Sequence, residues 1–310
     1  MNRLQANLCL LCVTLMWSME TVLYSCIPDG IPTFATSCVT SFAGTLLLFG
    51  AFYKRVITGV RQYGRRLIVN CFICAILNAI YNTMFLYGTK SFDVASGAFT
   101  FCMTVVVLPV VLLTAKRQVC KETWVSVLLV FAGIVMALGP TLQGKQLTGL
   151  AIMGGGCLLR AIFIVLTADL AKKYDPLCLA IVLQFFAGVF SLGGWFLEEP
   201  RLFLALPLSR TLIASWAIYS YFIVALALAF NFFAMRHVTA TNATVVYSLE
   251  IVFAIFWGMI LPPSVIEKVP LTPTIVIGTL LVLIGSLTEI LDLSGKRTLG
   301  ELFRKKEVER

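Results

Sequence analysis

Three ionisable residues, Glu20, Arg160 and Glu250, lie near the middle of three different apolar stretches, each long enough to cross a membrane. A charge at that depth costs roughly 2.5–3.5 kcal/mol on insertion scales, so it is expected to face a partner or a water-filled cavity. One base and two acids at similar depth predict a polar pocket at the centre of a membrane protein. After one acid pairs with Arg160, the second is left to titrate, to bind a cation or to meet a substrate amine. A purely structural reading stands beside this, in which Arg160 and one carboxylate fix the packing of two halves. Glu250 is the candidate for that structural partner, and Glu20 for the residual acid.

The neighbours of these charges follow helical spacing. Trp17, Glu20 and Tyr24 share one face of the first stretch, and Tyr247 and Glu250 share a face of theirs. Asn78 and Asn82 align with Tyr81 between them, and Thr100 aligns with Thr104. Asn231 occupies the place in the second half that Asn82 holds in the first. Each Asn or Thr could equally hold the bundle together through an interhelical hydrogen bond, worth about 0.6 kcal/mol. Gln184 fits either role. The run Gly154-Gly155-Gly156 lies inside an apolar span and reads as close helix packing rather than a phosphate loop.

The elements that must position these groups are membrane helices. The chain is 59% hydrophobic and only 13% charged, with a mean hydropathy of +0.94, whereas soluble domains are about 25% charged. Ten stretches are long enough for a core of ~30 Å. They are Gln5–Ile27, Pro32–Tyr53, Leu67–Tyr87, Ala95–Ala115, Thr123–Leu142, Leu147–Asp169, Leu177–Leu197, Leu212–Phe233, Ala243–Leu261 and Pro273–Ile290. Backbone polar groups in lipid must be satisfied within their own segment, which makes these helices and not barrel strands.

The net charge of +9 does not point to nucleic acid. With the N-terminus inside, eighteen Lys and Arg fall on the cytoplasmic side and five outside, Arg160 being the remaining one. That asymmetry predicts both termini in the cytoplasm. The first span is too long for a typical signal peptide and lacks a clear cleavage site, so it is expected to be retained. Of ten cysteines, Cys9/Cys12 and Cys71/Cys74 have CxxC spacing, but the one histidine is His237. Too few ligands remain for a zinc or copper site, and no cofactor is implied. Packing residues are the better reading.

The two halves repeat in order. Phe42-Ala43-Gly44 matches Phe186-Ala187-Gly188, and Asn82 matches Asn231. Leu128-Leu129-Val130 followed by Gly133 matches Leu280-Leu281-Val282 followed by Gly285, and Trp17 falls opposite Arg160. A unit of five spans is odd, so the second copy enters from the opposite side of the membrane. Such inverted repeats characterise secondary transporters with midplane sites. The expected units are residues 1–143 and 144–291, followed by a basic tail, 292–310.

The motifs Leu15-Met16-Trp17-Ser18, Tyr81-Asn82-Thr83-Met84-Phe85-Leu86-Tyr87-Gly88, Val94-Ala95-Ser96-Gly97-Ala98 and Tyr174-Asp175-Pro176 are similar to those of the drug/metabolite transporter superfamily. So are Ala240-Thr241-Asn242-Ala243-Thr244 and Ser248-Leu249-Glu250-Ile251-Val252-Phe253-Ala254, and the chain resembles the ten-helix EamA branch. Departures include Ile251 for a usual proline, Ser18 for a frequent glycine, Arg160 for an aromatic, and Pro262-Pro263 where a GE pair is common. The resemblance implies solute transport by alternating access. It also implies a cavity lined mainly by the first, third, fourth, sixth, eighth and ninth helices. By analogy with the small multidrug-resistance branch, Glu20 would exchange protons for substrate.

No nucleophile–base constellation or aspartate dyad suits an intramembrane enzyme, and no GxxxxGK[ST] suits an ATP-driven pump. The expectation is a bacterial cytoplasmic-membrane secondary transporter for a small charged or zwitterionic, amino-acid-like metabolite. Arg160 would meet a carboxylate and a glutamate an amine. Its partners would be that solute, membrane lipids and, if it is coupled, protons; a monomer and a homodimer both remain open. The rival is a non-transport membrane protein on the same fold, such as a lipid-interacting or assembly factor.

Overall fold

The computed structural model describes residues 1–28, 30–89, 103–117, 119, 121–138, 144–203, 206–262 and 272–287. The start of the fourth expected span, Thr100 and the tail 292–310 lie outside the described residues. The described chain is helical, without strands. Its elements are α1 (Arg3–Ser25), α2 (Thr33–Thr89), α3 (Thr104–Thr114), α4 (Lys121–Leu138), α5 (Gly144–Lys173), α6 (Pro176–Glu198), α7 (Arg210–Met235), α8 (Ala240–Ile260) and α9 (Pro273–Leu287). Six of these, α1, α2 and α5 to α8, are long and apolar enough to cross a membrane.

Local chemistry places several helix starts. Asn2 and Gln5 form a reciprocal capping box at α1. Asp175, followed by Pro176 at the first helical position, accepts the N–H groups of Leu177 and Cys178 at 3.1 Å. Ser209 caps α7 and Thr239 caps α8 in the same way.

Two expected spans appear as one element, α2, because the turn between them is itself mostly helical. Its backbone leaves helical geometry only at Phe52 and at Gly64, where φ is +58° and ψ −145°. That conformation is open to glycine and strained for any other residue. The side-chain contacts show that α2 is a hairpin. Near the bend, Arg55 bonds Asp175 at the start of α6 at 2.5 Å, and the Tyr63 ring lies edge-on to Tyr174. Both ends of α2 meet Glu198 at the far end of α6, where the carboxylate accepts the Phe34 N–H at 3.0 Å and the Tyr87 hydroxyl at 2.6 Å. At 1.5 Å per residue, the 23 residues of α6 span about 34 Å, so each arm of α2 runs the length of α6.

Buried apolar side chains form one large core among α1, α2, α3, α5, α6, α7 and α8, and a second around α3, α4, α8 and α9. In the second core, α4 and α9 approach through glycines in a reciprocal pattern. A β-carbon on Gly133 would meet the Gly278 carbonyl at 2.5 Å and Val282 at 2.9 Å; one on Gly285 would meet the Ser126 carbonyl at 2.9 Å and Val130 at 3.0 Å. Only glycine permits that approach. The sequence match that pairs Gly133 with Gly285 and Val130 with Val282 also exchanges these two sets of contacts, as a local two-fold axis does.

Candidate functional site

A cavity of about 80 Å³ lies among α1, both arms of α2, α5, α6, α7 and α8. Eight of the nine residues singled out from the sequence line it: Trp17, Glu20, Asn78, Tyr81, Asn82, Arg160, Asn231 and Tyr247. Glu250 does not. It is buried behind the wall at 2% exposure, its carboxylate 3.6 Å from the Arg160 guanidinium. The expectation that all three charges would face one cavity is corrected to two on its surface and one beneath. Tyr247, one turn before Glu250, is the side chain that α8 presents to the cavity, while Glu250 turns to Arg160.

Glu20 is held by two phenols. One carboxylate oxygen accepts the Tyr24 hydroxyl at 2.8 Å and the Tyr219 hydroxyl at 2.7 Å, and the two hydroxyls are themselves 2.6 Å apart. The phenol rings stack at 5.3 Å between centroids. Tyr24 comes from the same helix one turn on, whereas Tyr219 comes from α7. The clamp therefore ties the first half of the chain to the second through the acid.

Arg160 joins a second chain of contacts. Its guanidinium lies 6.0 Å from the Trp17 ring centroid, within cation–π range. Trp17 meets Tyr247 edge-on at 5.1 Å, and the Tyr247 hydroxyl donates a short hydrogen bond to the Asn231 side-chain carbonyl. On the second arm of α2, which packs on α5, the Tyr81 hydroxyl donates to Asn78 at 2.8 Å, and Asn82 reaches the same oxygen at 3.5 Å. Gly155 and Gly156 of α5 pack against Met84 beside this wall, the packing role expected of the glycine run. Apart from Glu20 and Arg160, the residues lining the cavity carry no charge. With Glu250 behind Arg160, the cluster holds two carboxylates and one guanidinium.

The two helices that bring the second half to the cavity are irregular there. In α7, residues Tyr219–Ala227 adopt π-helical hydrogen bonding, and this stretch carries Tyr219, Ile223 and Val224 into the wall. In α8, regular geometry stops at Tyr247 and resumes at Glu250, with bonds from Ser248 to Val245 and from Leu249 to Val246 that tighten the turn. π-bulges and broken helices recur at functional sites because they turn side chains that a regular helix would aim elsewhere.

Among the described residues the lining also reaches beyond the helix set implied by the resemblance. Among those residues α3 contributes nothing to it, and Thr104 is buried elsewhere. The first arm of α2 supplies Ser37, Thr40 and Ser41, and α6 supplies Gln184, whose amide donates to Ser41 at 2.8 Å. These hydroxyls and Tyr219 were missed in the sequence. The signal available for Tyr219 was a phenol at mid-span depth, which needs a polar partner when buried. The hydroxyls carried a weaker one, a helical stripe running Ser37, Thr40, Ser41.

Six apolar helices long enough to cross a membrane, packed around a buried charged cluster, define a polytopic membrane protein. Residues 147–288 match the model of the EamA-like transporter family, part of the drug/metabolite transporter superfamily, which shows the resemblance read from the motifs. A solved crystal structure, described only as that of a protein, superposes with a TM-score of 0.70 over 95% of this chain and 98% of its own. At 15% identity that likeness speaks for the fold alone. No curated protein matches the sequence.

Proposed function

We propose that this chain is a ten-helix, inverted-repeat secondary transporter that moves a small charged or zwitterionic, amino-acid-like metabolite across a bacterial cytoplasmic membrane. Residues 1–143 and 144–291 are its repeats, and both termini are cytoplasmic. The observation that carries the reading is the placement of Glu20, clamped by two phenols, and Arg160 together on the wall of one cavity between the two halves. A guanidinium there suits a substrate carboxylate, and the unpaired acid suits an amine or a proton. The α2 hairpin, which resolves one element into two spans, and the reciprocal glycine contacts of α4 and α9 support the repeat assignment.

Solute sites usually measure about 300–1,000 Å³, and the cavity between the walls is smaller, about 80 Å³. Substrate entry requires the walls to part. The irregular segments of α7 and α8 are where bending disturbs the fewest regular hydrogen bonds. As the walls part, a substrate amine or a proton replaces the phenol hydrogen bonds on Glu20, and Arg160 takes a carboxylate while Glu250 keeps its charge compensated. Counterflow into proteoliposomes tests the proposal, with a panel of amino acids and charged metabolites and empty liposomes as control. Saturable, substrate-specific flux is expected. Absence of flux across the panel, together with no ligand-induced rise in thermal stability, would favour the non-transport rival.

A further inference from the structure

A second concavity lies on the outer, lipid-facing side of the same hairpin, away from the charged cavity. It measures about 570 Å³ and runs between the two arms of α2 and the first half of α6. Leu46, Phe49, Val60, Ile68, Val182 and Phe185 line it, and Leu46 is 72% exposed. Its one polar side chain is Thr45, whose hydroxyl is buried and makes no hydrogen bond among the described residues. The groove is one-sided along the membrane normal. Its α6 residues lie six to eleven positions beyond Asp175, or about 9–17 Å at 1.5 Å per residue. Asp175 is the residue that the α2 bend touches through Arg55. The groove thus lies in the half of the span nearest the bend and reaches it through Val56 and Val60.

That bend is strongly basic. It carries Lys54, Arg55, Arg61, Arg65 and Arg66, all exposed. Arg55 is the only one of the five with a carboxylate partner among the described residues. Arg65 lies one turn before Ile68 of the groove, on the same side of the second arm. Apolar walls that end under a cluster of cations, four of the five without a described carboxylate partner, match the two parts of an anionic phospholipid: an acyl chain below and a phosphate above. We infer that the groove between the arms of α2 and α6 binds one anionic phospholipid of the adjacent leaflet, with its phosphate held by Arg61 and Arg65. The lipid would brace the bend at which the hairpin reverses, and it leaves the charged cavity free.

Native mass spectrometry of the purified full chain in detergent, titrated with dioleoylphosphatidylglycerol or dioleoylphosphatidylcholine, tests this. The expected result is retention of one phosphatidylglycerol at a concentration where phosphatidylcholine is lost, an affinity difference of about tenfold or more. The double variant Arg61→Gln, Arg65→Gln and the groove-filling Val182→Trp should each remove that preference. Val276→Trp, on an exposed face of α9, should keep it. Equal retention of both lipids by the wild type, or an unchanged preference in the Arg61→Gln, Arg65→Gln variant, overturns the assignment. If Val182→Trp does not give a monodisperse protein, the charge variant decides alone, because those two side chains are exposed and unpaired by any described carboxylate.

Discussion

Arg160 and Glu250 provide the sharpest test of how the two halves are held together. At 3.6 Å and an effective dielectric constant of about 20, unit charges attract by about 4–5 kcal/mol. Both groups are more than nine-tenths buried, so desolvation opposes that attraction, and the pair's net contribution is small compared with the cost of breaking it. Arg160→Met keeps the stem but leaves Glu250 buried without its cation, which should destabilise the protein by about 3–5 kcal/mol. Glu250→Gln should cost less, because Arg160 still feels Glu20 and still lies over Trp17. The double variant should be more stable than the sum of the two losses predicts, by at least about 2 kcal/mol. The measurement is reversible unfolding in mixed micelles, followed by tryptophan fluorescence with Trp17 left in place. Additivity of the two losses within about 0.5 kcal/mol would refute the argument, since groups that do not interact behave that way.

Glu20→Gln removes the charge and keeps the shape, so it should abolish any pH dependence of transport while the protein still elutes as a folded species; an unchanged rate and pH profile would make Glu20 structural. Tyr219→Phe should move the same profile, because it withdraws one of the two hydroxyls on that carboxylate. Gly64→Ala should destabilise the α2 hairpin by about 1–3 kcal/mol through backbone strain alone, since a β-carbon there meets no atom within 4 Å; thermal unfolding that matches the wild type would remove the strain argument. Gly133→Ala and Gly285→Ala should lower thermal stability by similar amounts, each driving a β-carbon against a backbone carbonyl, and a large effect from only one would argue against a two-fold relation. A reporter fused after Arg310 should read cytoplasmic, as the charge asymmetry demands.

What the sequence determined by itself is whatever the membrane imposes on composition. Lipid allows few charges and no unpaired backbone, so the helical, membrane-spanning character of the chain and the isolation of Glu20, Arg160 and Glu250 could be read directly. Helical spacing then grouped Trp17 with Glu20 and Asn78 with Asn82, because a helix fixes which neighbours share a face. Tertiary structure decided what meets across helices. Nothing in the apolar run around Tyr219 announces a π-helical stretch, since no proline or glycine marks it, yet that stretch takes part in forming the cavity wall. Which acid Arg160 pairs with, and which faces the cavity, depends on the rotation of α8 about its break at Ser248 and Leu249, a packing outcome rather than a local one. The groove on α2 likewise exists only because Gly64 lets the chain reverse and lay two arms against α6. Spacing along one helix is local information. The rotation and approach of several helices come from all their contacts at once, and no single segment encodes them.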